Sequence, residues 1–362
     1  MNKFAFIVHP NQTGDMWRFP FSGLLPGRIL EGLHRFAPPV KLAEITGIES
    51  SLGITGGFLI SVPLTARQMS KLPRSVLNGK IVRAARMAQR LGATMVGLGD
   101  FAPLLGEDGY GFGEYFGLGV TGGFRYSLFT GLAAALDAAV LMGHNLKKAH
   151  VVVLDAAGPV GSACAHLLAG RVMRMTLVDK EKRKLNDLAG KILFESGLSV
   201  GISPDDKKVI GAAHIVVAPQ GQVMDSRLLP GAVVCNLVSP PNDCWQPAVV
   251  REDVLTVEGA LVKAPGKENK NLMPGLPPGM ICPSMAETIL LALEGRRENY
   301  WPVSRVTVVQ VRQMAALAEK HGFKTAGIRG IKSPLTPEDI EKVRDNARKK
   351  GFGSNPAGLP ME

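Results

Sequence analysis

In the second half of the chain, short β-branched runs alternate with stretches of helical spacing. VVVL (Val151–Leu154), MTLVD (Met175–Asp179), HIVVAP (His214–Pro219), AVVCNLV (Ala232–Val238) and VLTVEG (Val254–Gly259) read as buried strands. Helices are predicted over Val160–Leu168 and Glu181–Glu195. This alternation predicts an α/β fold, a doubly wound parallel sheet with helices on both faces. Further on, Ser284–Gly295 sets Ile289, Leu290 and Leu293 at core spacing, and another helix is predicted over Val306–His321. Thr336, with Pro337 at the first helical position and Glu338 and Asp339 after it, opens a charged helix, and the chain ends in a flexible tail, GFGSNPAGLPME.

The first half has a different texture. FAFIV (Phe4–Val8), GFLISVPL (Gly57–Leu64) and ATMVGLG (Ala93–Gly99) are apolar runs of strand type, separated by Pro- and Gly-rich loops. Between the last two lies a helical pattern in which Ile81, Ala84, Ala85, Ala88 and Leu91 take one side and Lys80, Arg83, Arg86 and Arg90 the other. Residues 105–123 are rich in glycine, show no periodicity and are expected to form a long loop. SLFTGLAAALDAAVLMG then reads as a buried helix. The division that follows is an N-terminal substrate domain over 1–145 and a Rossmann-like nucleotide domain over 146–283. Helices packing back over 284–330 and a charged helix with its tail over 331–362 complete it.

Composition narrows the class. The chain has 362 residues, of which 46% are hydrophobic and 20% charged, which is a folded protein of two-domain size. Cys164, Cys235, Cys244 and Cys282 are scattered, so neither a disulfide framework nor a metal site is expected, and free thiols fit a reducing compartment. MNKFAFIVHP is too short for a secretory signal, and the apolar stretch Gly131–Gly143 is broken by Asp137 short of a bilayer span. A cytoplasmic protein without a membrane span is expected. The net charge of +11 asks for an acidic partner, and seven basic residues with no acidic one fall between Ala66 and Gly92. Nucleic acid is not expected, because no aromatic residues interleave the basic stripe.

The chemistry concentrates in VVVLDAAGPVGSACAHLLA (Val151–Ala169), where a buried strand runs through a glycine-bearing turn into a helix. Gly158 and Gly161 match the later positions of the dinucleotide fingerprint, where backbone approaches a pyrophosphate and helix packs close to strand. Pro159 presets the backbone between them, and the N–H groups from Val160 onward face the phosphates. Asp155 stands where the first glycine is expected; its carboxylate opposes a phosphate, although aspartate tolerates the turn conformation. Asp179, 21 residues beyond Gly158, ends the next strand, where a carboxylate binds ribose hydroxyls and disfavours a 2′-phosphate. It favours NAD over NADP, while Lys180, Lys182 and Arg183 pull the other way. Ala218 and Gln220, at the end of the third strand in this order, complete the expected cofactor-binding set.

Several segments resemble the long-chain acyl-(acyl carrier protein) reductases, described also as shikimate or amino-acid dehydrogenase-like proteins. They are MAQRLGATMVGLGDF (Met87–Phe101), LDAAGPVGSA (Leu154–Ala163), HIVVAP, SMAETILLALEGRRENY (Ser284–Tyr300) and AALAEKHGF (Ala315–Phe323). The likeness runs in the same order up to about Gly330 and marks this chain as a divergent relative. It implies an N-terminal substrate domain, a Rossmann-like NAD(P) domain, and reduction of an acyl thioester to an aldehyde through a cysteine just before the A-E-x-I-L-L helix. That cysteine position falls on Ser284, with Cys282 two residues earlier, and Gly123 replaces a polar asparagine of the family. An acidic acyl carrier protein would suit the basic helix at 80–90.

Three readings follow. The first is an NAD(P)-dependent oxidoreductase with Cys282 or Ser284 at the acyl position. The second is a direct-hydride dehydrogenase of a small amino or hydroxy acid, for which Lys80, His144 and Lys147 are proton-transfer candidates. The third is a non-catalytic nucleotide-binding or interaction protein. Set against the catalytic roles, Ser284 reads as a helix N-cap in a near capping box with Glu287, and Cys282 as a small buried apolar residue.

Overall fold

The computed structural model describes residues 2–10, 36–69, 71–102, 112–219, 226–237, 251–266, 272–273, 275–300, 303–331 and 333–352. In chain order the described elements begin β1 (Lys3–Val8), β2 (Val40–Ser50), β3 (Gly53–Ser61), α1 (Ala66–Met69), α2 (Arg74–Arg90), β4 (Ala93–Gly97), α3 (Phe112–Phe116), β5 (Gly119–Thr121) and α4 (Phe124–Leu141). They continue with β6 (His150–Val153), α5 (Pro159–Ala169), β7 (Arg174–Val178), α6 (Lys182–Ser196), β8 (Gly201–Ser203), β9 (Ile215–Ala218), β10 (Val233–Asn236) and β11 (Leu255–Val257). The last are β12 (Gly259–Lys263), β13 (Met280–Ile281), α7 (Pro283–Leu293), β14 (Asn299–Tyr300), α8 (Val308–Lys320), β15 (Lys324–Arg329) and α9 (Pro337–Lys349).

The chain divides into two compact units. One comprises Met1–Phe129, Pro240–Gln246 and Leu261–Ala326; the other comprises Thr130–Ser239, Pro247–Ala260 and Gly327–Glu362. The first unit holds a sheet in the order β14-β5-β4-β1-β3-β2. Its strands are parallel except β2, which runs antiparallel to β3. α2 buries Leu77, Ile81, Ala84, Ala85 and Ala88 against one face, and α7 buries Met285, Ile289 and Leu290 in the cluster that holds Phe4, Leu59 and Met95.

The second unit carries the sheet β11-β10-β9-β6-β7-β8, parallel throughout. Counted from β6 as the first strand, this is the 3-2-1-4-5-6 order of dinucleotide-binding sheets, and strand order reverses between β6 and β9. α5 and α6 connect β6 to β7 and β7 to β8. The α/β class with a doubly wound parallel sheet is thus the fold observed. α9 begins at Pro337 with Thr336 as its N-cap, as its sequence predicts, and Thr336 and Asp339 form a capping box.

Two local expectations are corrected. Residues 112–121 are not a featureless loop but form α3 and β5, and Gly117 and Gly123, at φ 60° and 76°, make the bends around β5. Lys80 does not join the basic stripe: it is 4% exposed, while Arg83, Arg86 and Arg90 are exposed. The Lys80 ammonium donates to the Ala37 carbonyl. Burial, aided by Arg83, lowers its pKa to about 8. His144 and Lys147 lie beyond the end of α4. α4 is long and apolar enough to cross a membrane by length and composition alone, and 61% of that window is buried within the protein.

Candidate functional site

In the second unit the turn after β6 is tied into the sheet on both sides. Leu154 N–H donates to the Val217 carbonyl (2.9 Å) and Ala156 N–H to that of Val178 (3.0 Å), so the turn straddles the point where strand order reverses. Gly158 N–H closes it onto the Asp155 carbonyl at 3.0 Å. Asp155 takes φ 48°, and it is the one non-glycine residue with positive φ among those described. An aspartate thus adopts the conformation that a fingerprint glycine would adopt freely.

Gly158 is the N-cap of α5 and Pro159 its first residue; the first intrahelical bond runs from Ser162 N–H to the Gly158 carbonyl (2.9 Å). The N–H groups of Val160 and Gly161 therefore have no acceptor within the helix. A Cβ on Gly161 would lie 2.2 Å from the Asp155 carbonyl oxygen, so only glycine lets helix and turn approach this closely. These are the two properties an anion cradle needs, donors without intrahelical acceptors and a close backbone.

Asp179 stands just past β7, half-buried. Its carboxylate accepts from Ala157 N–H and Glu181 N–H, each at 3.1 Å, which fixes it beside the turn. The exposed Lys180 follows. Asp155 is affected in turn: partial desolvation, then the Asp179 and Asp206 carboxylates, raises its pKa above the usual carboxylate value. A pyrophosphate placed at this turn would meet favourable N–H donors and an adverse carboxylate. Ala218 ends β9 at the reversal point, next to β6; Gln220 lies outside the described residues.

The first unit presents a second group of chemistry-bearing residues at the carboxyl ends of its parallel strands. His9 follows β1 with its Nδ1 3.1 Å from the Pro10 carbonyl oxygen, and Thr121 ends β5. α7 begins at this edge. A Cβ on Gly123 would lie 2.2 Å from Ser284 Cβ, so an asparagine has no room at this position.

The N-cap of α7 is Cys282, not Ser284, because Pro283 takes the first helical position with its preset φ and missing N–H. Ser284 sits in the first turn, and its Oγ is 3.2 Å from Cys282 Sγ. The structure therefore brings the two candidate nucleophiles together, with the thiol 8% exposed.

Glu287 makes no capping box. It is fully buried and accepts from the Thr121 hydroxyl (2.6 Å) and Tyr126 N–H (2.8 Å), with Arg125 Nη1 3.9 Å away and 3% exposed. Arg125 donates in turn to the Tyr300 carbonyl (2.6 Å). This buried network fastens the start of α7 and the residues after β5 to each other. A glutamate within the apolar run AETILLAL was the signal that could have found it.

Of the proton-transfer candidates, His144 is engaged elsewhere: its Nε2 is 2.7 Å from the Gly231 carbonyl oxygen and its ring packs edge-on against His214 and Phe352. Lys147 is exposed, and Lys80 is held by Ala37. Among the described residues no group of three or more metal-ligating side chains occurs, and Cys164 and Cys235 are buried free thiols. Cys244 lies outside the described residues.

The aminotransferase PigE of Serratia sp. (strain ATCC 39006) is 27% identical over 341 residues, which cover 89% of this chain and 39% of that protein. The chain thus spans about two-fifths of the length of this curated relative. Solved structures that follow nearly the whole chain include L-tryptophan dehydrogenase from Nostoc punctiforme, at 12% identity and a TM-score of 0.35, covering 97% of this chain and 89% of that one. Quinate dehydrogenase from Corynebacterium glutamicum, in complex with NAD, is 17% identical with a TM-score of 0.30, covering 96% and 99%. Shikimate 5-dehydrogenase from Listeria monocytogenes, in complex with shikimate and NAD, is 11% identical with a TM-score of 0.30, covering 95% and 96%. No family model matches the chain. The fold class rests on the strand order and connections of the chain itself.

Proposed function

We propose that the chain is an NAD(P)-dependent oxidoreductase that transfers hydride directly to or from a small amino or hydroxy acid. The observation that carries this reading is the cradle after β6, with Gly161 pressed against the Asp155 carbonyl at the reversal point of a six-stranded parallel sheet. When bound, a nicotinamide cofactor supplies the hydride chemistry. Val160 and Gly161 N–H groups would hold its pyrophosphate, and Asp179 its ribose hydroxyls. Asp155 and Asp179 together repel a 2′-phosphate, so NAD is the proposed partner over NADP.

In the first unit, the N–H groups of the first turn of α7 suit a substrate carboxylate, and His9 at the end of β1 is the residue we assign to proton transfer. A direct route asks for no covalent nucleophile. Replacing Cys282 and Ser284 together with alanine should leave turnover within a fewfold of the parent, whereas His9→Gln should lower kcat by about a hundredfold or more.

One observation favours a second reading, reduction of an acyl thioester. Cys282 is the N-cap of α7, a position where the helix dipole favours a thiolate. Attack by its sulfur on the acyl carbon would expel the carrier thiol and leave a new thioester for hydride. The exposed Arg83, Arg86 and Arg90 would then face an acidic carrier protein. The same double substitution decides between the readings, since the acyl route loses all turnover with it.

A further inference from the structure

The side chain of Asn236, at the carboxyl end of β10, is 0% exposed, and among the described residues neither its Oδ1 nor its Nδ2 has a hydrogen-bond partner. An amide holds an acceptor and two donor hydrogens, and leaving both ends unmet in a dry place costs stability that an apolar side chain of the same size would not. The run AVVCNLV is otherwise apolar, so nothing in the packing of this strand asks for polarity.

Its place in the fold says what the amide can meet. Asn236 pairs in parallel register with Ala218 of β9, and β9 adjoins β6, the strand that leads into the anion cradle. Strand alternation puts Asn236 on the face of Val234, which packs with Val152 and Val216, at the end of that layer where the carboxyl ends of the strands emerge. In open sheets of this order, ligands lie outside those carboxyl ends beside the reversal point.

We infer that Asn236 is the specificity residue for the carboxamide of the nicotinamide ring, an inference that rests on the dinucleotide reading of the second unit. A carboxamide offers one carbonyl acceptor and one NH2 donor, the complement of the asparagine Nδ2 and Oδ1. The pairing satisfies both orphaned ends at once and selects a ring bearing an amide over one bearing a ketone. Asn236 thus recognises the reactive end of the cofactor, whereas Asp179 and the α5 turn hold its other end.

Calorimetry on the full chain tests this with three ligands: NADH, its 3-acetylpyridine analogue, in which a methyl replaces the amide NH2, and ADP-ribose, which lacks the ring. The parent should bind NADH about tenfold more tightly than the acetylpyridine analogue. Asn236→Leu should bind NADH about tenfold more weakly, lose the preference between the two rings, and keep ADP-ribose affinity unchanged. Its melting temperature without ligand should equal or exceed that of the parent, which a purely structural asparagine would not allow. If Asn236→Leu fails to fold, the residue is structural and the inference is overturned. Equal affinity of the parent for both rings, or equal losses for NADH and ADP-ribose in the variant, also overturns it while leaving the cradle in place. A parent that binds none of the three removes the dinucleotide reading and this inference with it.

Discussion

Glu287 offers the sharpest test of how the first unit is fastened. Its carboxylate is wholly buried and answers three groups: the Thr121 hydroxyl at 2.6 Å, Tyr126 N–H at 2.8 Å and the Arg125 guanidinium at 3.9 Å. At that last separation two unit charges attract by about 4 kcal/mol at an effective dielectric near 20. Each hydrogen bond to a charged acceptor adds about 1.5–3 kcal/mol. These contributions do not add, because desolvation of both ions opposes them.

Glu287→Ala leaves Arg125 charged, buried and without its counter-ion, and breaking such a pair costs about 3–5 kcal/mol. Arg125 is already strained in this sense, since burial lowers its pKa more than Glu287 restores it. Glu287→Gln keeps the shape and one acceptor and should cost about 2 kcal/mol. The double variant Arg125→Met, Glu287→Met removes both charges and should be less destabilised than Glu287→Ala alone. Urea unfolding followed by far-ultraviolet circular dichroism gives each value as a midpoint shift. A Glu287→Ala protein within about 1 kcal/mol of the parent would refute the reasoning, as would a double variant less stable than the single.

Other expectations follow from the same geometry. Gly161→Ala drives a Cβ into the Asp155 carbonyl, so NADH binding should weaken by at least about tenfold, measured by calorimetry, and the melting temperature should fall. Asp155→Gly removes an adverse carboxylate and a positive-φ strain together; nucleotide affinity should rise, and no change would mean the carboxylate faces away from the phosphates. Gly123→Asn should destabilise the fold in thermal melts, because its side chain meets Ser284 at φ 76°. Burial lowers the pKa values of His144, His150 and His214, aided at His150 by Arg174 and at His214 by His144, His150 and Arg174. With the folded pKa values below the unfolded ones, the unfolded chain takes up more protons as pH falls, so stability should be full above about pH 7 and decline below about 6.5. His214→Asn keeps an acceptor for the His150 N–H and should flatten that decline between pH 7 and pH 5; an unchanged slope counts against the histidine cluster as its origin.

The elements most legible in the sequence were those with buried, uninterrupted faces. The strands β6, β7, β9, β10 and β11 all have apolar runs because helices or loops cover both sides of a parallel sheet, and each was anticipated. β2 was not, because as an edge strand it buries only Ile45 and Ile48 across Val40–Ser50 and leaves no apolar run to read. The turn after β6 was legible in Gly158 and Gly161, and the strand end beside it in Asp179, since these positions depend on local backbone. That Asp155 would adopt the left-handed turn was a tolerance of its residue type, and the structure shows it adopted. The start of α7 was misread from Ser284 because a serine three residues before a glutamate mimics a capping box. Glu287 is instead claimed by Thr121 and Tyr126, more than 160 residues earlier, and no local spacing reveals a partner so distant. Lys80 fell on the wrong side of its helix for a related reason: periodicity placed it with the arginines, and only the Ala37 carbonyl explains its burial.

The central claim is that the turn after β6 is a working dinucleotide cradle. Titrating the full chain with NADH and with NADPH in a calorimeter tests it most directly. The account predicts saturable binding of NADH below the millimolar range, weaker binding of NADPH, and loss of both in Gly161→Ala; absence of binding by either nucleotide at millimolar concentration would contradict it.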